Sequence, residues 1–249
     1  MLIAEWFSTM IIGNCLYCKK EFRKREQKYK FCSLSCSSNY NKNGLRYVTL
    51  PSYNNDLAEF VGICLGDGCV SKYQISITLN SHADKDYIPY VASLIKKLFP
   101  EPSLSIVERK DNATDIKINS SIVANFLRDM GVIPNKKIVP LWVYSSIPFR
   151  QACVRGLFDT EGSISFKRYK GKNGIVFYKQ LNFRNTDVKF MKLVRDVLFE
   201  IGLKPTMTLK RSLYISNQKS LNTFLEKIGF SNPKLIHKST ILQPEVHSE

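Results

Sequence analysis

Asp67 and Glu161 stand in segments that echo each other 94 residues apart: Phe60-Val-Gly-Ile-Cys-Leu-Gly-Asp67-Gly68 and Val154-Arg-Gly-Leu-Phe-Asp-Thr-Glu161-Gly162. Each acid follows apolar residues and small residues spaced by four, and each precedes a glycine. Small residues at that spacing make a smooth strip along a helix, so two such helices can pack face to face and deliver one carboxylate apiece to a shared point. Two carboxylates converging there offer hard oxygen ligands to a divalent cation. Acid–glycine pairs also occur in ordinary helix-ending turns; the recurrence in register with the small-residue strip favours the paired site.

A second constellation lies near the N-terminus, where Cys15-x2-Cys18 is followed, after thirteen intervening residues, by Cys32-x3-Cys36. Two tight turns at these spacings close a tetrahedron of thiolates around Zn2+. Phe22, Tyr29 and Phe31 between the pairs supply a miniature core, with the lysines and arginines left in water. A segment this small needs its metal to fold. Seven cysteines are an odd number for a disulfide framework, and the alternative to a zinc site is four free thiols in a reducing compartment.

These groups need elements to carry them. Asn43-Gly44, Pro51-Ser52 and Asn54-Asn55 mark a linker over residues 42–55, between a four-cysteine finger at 1–41 and a larger region that begins near Asp56. There Leu57, Phe60, Val61, Cys64 and Leu65 fall at helical spacing. Glycine inside a helix costs about 1 kcal/mol relative to alanine, so Gly62 and Gly66 together call for a close neighbour. The second segment supplies one, with Ala152, Gly156 and Thr160 at the same period. After each acid–glycine pair the period switches to two, predicting strands in Cys69–Leu79 and Ser163–Tyr169. Further strands are expected at 104–109, 114–118, 175–184 and 206–216, separated by helices at 86–99, 123–130, 187–201 and 218–228. The order helix, hairpin, helix, hairpin, helix thus occurs twice, and Asn125-Phe-Leu-x-x-Met-Gly131 returns as Thr223-Phe-Leu-x-x-Ile-Gly229. A repeat of about 95 residues is too long for a solenoid and suits two related half-domains, 56–149 and 150–249. The expected fold class is α+β, with two αββαββα half-domains behind a small zinc finger.

Both acid segments resemble the LAGLIDADG motif, and Arg155-Gly-Leu-Phe-Asp-Thr-Glu-Gly-Ser-Ile164 is similar to the form common in single-chain homing endonucleases. Over residues 56–249 the resemblance implies motif helices packed at a pseudo-two-fold axis and antiparallel sheets forming a saddle over DNA. It maps the catalytic, metal-binding acids onto Asp67 and Glu161, while Leu65 departs from the consensus where an earlier acid usually stands. The four-cysteine segment resembles the treble-clef fingers appended to mobile-element nucleases. His82, His237 and His247 are too scattered for a His-Asn-His core.

The implied chemistry is phosphodiester hydrolysis assisted by Mg2+ held between Asp67 and Glu161, with the backbone carbonyls of Gly66 and Thr160 completing the coordination. The family places a lysine before an isoleucine-proline or similar pair, which points to Lys137, whereas the internal repeat aligns Lys136 with Lys234. Lys137 and Lys234 are therefore both carried as candidate catalytic helpers. Readout of double-stranded DNA is expected from strand faces bearing Lys72, Gln74, Ser76, Thr78, Arg109 and Lys117 in the first half. The second half offers Lys167, Tyr169, Lys179, Asn182, Arg184, Lys210 and Tyr214, with Lys172 at a hairpin tip.

Charge agrees with that partner: 37 basic against 21 acidic residues give a net +16, which suits a polyanion. No apolar run reaches the roughly 20 residues of a spanning helix, and the opening Met1–Ile12 carries Glu5 without a basic leader, so an intracellular monomer with no membrane role is expected. No splicing block surrounds the core, which argues against an intein. An RNA-binding intron maturase, with intron RNA as partner, and a DNA-binding regulator with an inactive nuclease core are the alternatives.

Overall fold

The computed structural model describes residues 11–241 apart from 25, 27, 45–47, 134–135, 172–173 and 209–210. The chain divides into two compact units, Met1–Val48 and Thr49–Glu249. In the first, strands β1 (Ile11–Asn14) and β2 (Glu21–Lys24) form an antiparallel hairpin, and helix α1 spans Leu34–Gly44. Helix α1 runs three residues into the stretch read as linker, so Asn43-Gly44 closes a helix there.

The second unit opens with α2 (Asn55–Asp67), whose first turn is capped by the Asn54 side chain accepting from the Leu57 N–H at 2.8 Å. Strands β3 (Gly68–Val70) and β4 (Ile75–Asn80), helix α3 (Tyr87–Leu98), strands β5 (Leu104–Glu108) and β6 (Ala113–Ile118) and helix α4 (Ser121–Asp129) complete the first repeat. A small hairpin, β7 (Val132–Ile133) and β8 (Lys136–Lys137), and a 3-10 turn at Leu141–Ser145 lead into α5 (Ile147–Glu161). The second repeat continues with β9 (Gly162–Gly171), β10 (Gly174–Arg184), α6 (Val188–Glu200), β11 (Thr206–Thr208), β12 (Ser212–Ile215) and α7 (Gln218–Lys227). Helix α8 (Pro233–Thr240) follows; Asn232 caps it and Pro233 opens it, an N-terminal signal that the helical reading of 218–228 stopped short of.

Each repeat builds a four-stranded antiparallel sheet of the same order, β3-β4-β6-β5 and β9-β10-β12-β11. The αββαββα repeat is thus present twice, as the sequence period implies. One face of each sheet is covered: Ile75, Ile77, Ile116 and Ile118 are buried beneath the first repeat's helices, and Leu181, Phe183, Leu213 and Ile215 beneath those of the second. Helix α2 buries every residue from Leu57 to Leu65, all of them uncharged except Glu59, which is the signature of a central helix rather than an amphipathic surface one. Among the described residues no helix is long and apolar enough to cross a membrane.

Candidate active site

The strip of small residues does what its spacing implies. A Cβ built on Gly62 would lie 2.1 Å from the Cys153 carbonyl oxygen, and one on Gly156 would lie 2.2 Å from the carbonyl oxygen of Glu59. Backbone therefore meets backbone along α2 and α5. One turn further on, a Cβ on Gly66 would lie 2.0 Å from Thr160 Oγ1 and 3.5 Å from Glu161 Cγ. The helices consequently run side by side in the same direction and end together, with Asp67 and Glu161 as their last residues. Gly68 and Gly162 cap them by donating to the carbonyls of Cys64 and Phe158, and each begins a strand.

Both acids are half-buried. A cleft beside Glu161 is lined by Gly66, Asn185, Thr186 and Asp187. The last three come from the turn between β10 and α6, where Asn185 Oδ1 accepts from the Asp187 N–H at 2.8 Å. The corresponding turn in the first repeat is held by Asn80, whose Oδ1 accepts from the His82 and Ala83 N–H groups. Sequence reasoning passed over Asn185; the asparagine recurring at both strand-to-helix turns is the signal that could have found it.

The candidate lysines differ in what surrounds them. Lys234 Nζ pairs with Asp84 Oδ1 at 2.5 Å, and Asp84 also accepts from Asn232 Nδ2 at 3.1 Å, so this lysine ties the second half to the first and does not line the cleft beside Glu161. Lys137 lies in β8, but its side chain falls outside the described residues.

Two further acids of the motif helices serve packing. Glu59, almost fully buried, accepts from Tyr90 Oη at 2.6 Å and pairs with Arg155 at 3.1 Å, linking α3, α2 and α5. Asp159 accepts from the backbone N–H groups of Ser231 and Asn232 at 3.1 Å, just before α8. Burial pushes the Asp159 carboxyl up to about 7, and the Glu59 charge adds to this, against the pull of those two N–H groups and of Arg155. The folded state thus holds a proton that the unfolded chain, titrating near 4, has released. Stability carried by this group is present at low pH and is lost as pH rises through the window from about 4 to about 7. An Asp159→Asn variant keeps an acceptor for both N–H groups, and its urea midpoint relative to the parent should rise as pH is raised from about 5 to about 8. A relative midpoint that falls over that range would contradict the assignment.

The sheet faces sort the expected readers. On the uncovered face of the first sheet, Ser76 pairs with Lys117 and Thr78 with Asp115. Gln74 lies at the same edge and donates to Asn119 Oδ1 at 2.5 Å, whereas Lys72 stands in the β3–β4 turn and Arg109 just past β5. On the second sheet, the register places Tyr178 opposite Lys167, and Asn182 opposite both Ser163 and Tyr214. Tyr169 and Tyr178 meet edge to face with centroids 6.1 Å apart, and Arg184 is exposed at the end of β10. Lys179 is a correction: with a period of two it shares a face with Leu181 and Phe183, not with Asn182 and Arg184. It is buried, and its Nζ donates to the Ser239 carbonyl of α8 at 2.5 Å. Lys172 and Lys210 lie outside the described residues.

In the N-terminal unit the sulfur atoms of Cys15, Cys18, Cys32 and Cys36 all lie within 4.8 Å of one another. Cys32 Sγ is 3.6 Å from Cys18 Sγ and 3.5 Å from Cys36 Sγ, close to the ~3.8 Å edge of a tetrahedron with Zn–S bonds of about 2.3 Å. Burial works against ionisation of Cys15, but the backbone N–H groups of Cys18, Cys32 and Tyr17 prevail and bring its thiol down to about 6. The neighbouring sulfurs of Cys36 and Cys18 push Cys32 up to about 12. Four sulfur atoms gathered this closely suit a cation between them, and this donor set fits Zn2+.

Residues 148–229, spanning α5 to the end of α7, match the family described as LAGLIDADG-like domain. This part of the chain thus carries a LAGLIDADG-like domain, and the paired repeats share their fold with a solved meganuclease. Among solved structures, meganuclease I-SmaMI bound to uncleavable DNA is similar at 14% identity with a TM-score of 0.50, over 72% of this chain and 86% of that one. Two curated relatives come from Methanocaldococcus jannaschii. A replication factor C small subunit is 29% identical over 201 residues, 78% of this chain and 10% of that protein. A DNA-directed RNA polymerase subunit Rpo1C is 31% identical over 185 residues, 72% of this chain and 20% of that protein. The chain therefore spans only a tenth to a fifth of the length of these relatives.

Proposed function

We propose that this protein is a site-specific endonuclease that cuts both strands of DNA at a long asymmetric site. The observation that supports this most directly is the contact of Gly66 with Thr160 and Glu161, because it holds the acid-bearing ends of α2 and α5 together. Two half-buried carboxylates suit a hard divalent cation, and Mg2+ held there would supply an activated water and neutralise charge on the scissile phosphate. The carbonyls of Gly66 and Thr160 are offered as additional oxygen ligands. Asp67 and Glu161 anchor that charge and fix where a phosphate can approach. The uncovered sheet faces contact the bases, and the net charge of +16 gathers the phosphates around them. Both acids come from one chain, so a monomer suffices. The finger, which holds Zn2+, lengthens the contact. Half-domain limits of 56–149 and 150–249 and an intracellular setting belong to the same reading.

The test is cleavage of a randomised duplex pool by the full chain. Double-strand cuts at one recurring sequence, dependent on Mg2+ and stopped by a chelator, are the expected result. Specific DNA binding without any cut would favour the regulator, and tight binding of intron RNA without a cut would favour the maturase.

A further inference from the structure

Among the described residues that the strand registers place on the two uncovered sheet faces, Asp115 is the one acid. The second face offers Ser163, Ser165, Lys167, Gln180, Asn182 and Tyr214, all neutral or basic. The first is built around a carboxylate on an inner strand, β6, where DNA phosphates would be expected to select against one.

Asp115 is not there by default. Its side chain is only 10% exposed, and one hydroxyl donor and two cations hold it. Thr78 Oγ1, from the neighbouring strand β4, donates at 2.8 Å; Lys117 Nζ, two residues along β6, lies at 3.1 Å; and an Arg109 nitrogen lies at 3.7 Å. Burial works against ionisation, but the Thr78 hydroxyl and the Lys117 and Arg109 charges outweigh it and keep the carboxyl below its ordinary value. Arg109 is drawn the other way by Asp111 at 2.6 Å, which leaves Lys117 as the closer of the two cations to Asp115.

A cation and an anion fixed side by side on a groove-facing strand form a donor next to an acceptor. The major-groove edge of a G·C pair offers the complement, with guanine O6 and N7 accepting beside the cytosine N4 amino group donating. A lysine alone would settle on any phosphate or acceptor within reach; held by Asp115, its ammonium is tied to the base-reading face. Building on the DNA-reading role of this sheet, we propose that Asp115 is a specificity-determining residue that, with Lys117, reads one G·C pair in the half-site under the first sheet. Thr78 is its positioning partner.

The test is enrichment of bound duplexes from a randomised pool by the full chain, which does not depend on cleavage. The parent should show a G·C preference at one position of one half-site. Asp115→Asn should reduce that preference roughly tenfold or more and leave the remaining positions within about twofold. Lys117→Met should weaken the same position, and it carries the test should the Asp115 variant fail to fold by thermal unfolding. A variant profile identical to that of the parent, or an affinity change spread evenly over all sequences, would overturn the assignment even if the protein cuts DNA. A parent that enriches no sequence would overturn both this inference and the function on which it builds.

Discussion

Asp67→Asn and Glu161→Gln are each expected to lower double-strand cleavage on the order of 10³-fold or more while leaving DNA affinity equal or slightly higher. The two effects have opposite signs for a physical reason. A carboxylate beside phosphates repels them when no cation intervenes, so its amide isostere relieves repulsion at the cost of the charge that anchors a metal. The amides preserve shape, and neither change touches the glycine contacts that hold α2 against α5. Misfolding would instead remove binding and cleavage together. End-labelled duplex reports which strand each variant still nicks. If each half serves one strand, the Asp67 and Glu161 variants leave different strands intact; loss of the same strand in both would show that the two acids act as one site.

Most of this arrangement was legible because it is written in local periods. The glycine strip, the acid at the end of each motif helix and the switch from helical to alternating spacing are all short-range signals, and each corresponds to an observed element: α2 and β3 in the first repeat, α5 and β9 in the second. What local spacing cannot reveal is a partner far along the chain. Lys234 repeats Lys136 in sequence, yet in space it meets Asp84, 150 residues away. Asp115 was passed over because it reads as one more polar residue in an alternating strand; its meaning depends on Thr78 of the adjacent strand and on Arg109 beyond β5. Lys179 exposes the converse error, since strict alternation from Leu181 and Phe183 already assigned it to the covered face. A lysine tolerated there needs an acceptor for its ammonium, and the end of α8 supplies one.

The helix interface makes the remaining strong prediction, and there two effects compete. Alanine is a better helix former than glycine by about 1 kcal/mol, so Gly62→Ala and Gly156→Ala would stabilise an isolated helix. Here the added methyl would sit 2.1 Å from the Cys153 carbonyl oxygen or 2.2 Å from that of Glu59, and neither atom can swing aside because both belong to helix backbone. Overpacking should prevail, lowering stability by about 1–3 kcal/mol or more in each variant, read from urea midpoints. Gly66→Ala differs because its methyl meets a side chain, with Thr160 Oγ1 at 2.0 Å and Thr160 Cβ at 2.8 Å. Thr160 Oγ1 is itself bonded to the Gly156 and Leu157 carbonyls, so turning it away forfeits those bonds. This variant should therefore lose cleavage through separation of the acid-bearing ends more than it loses stability. Thr160→Gly in the same chain removes both clashing atoms and should restore much of the cleavage, a non-additivity that a double-mutant cycle measures directly. Strict additivity of the two substitutions would mean that the ends of α2 and α5 do not meet in solution as Gly66 and Thr160 require.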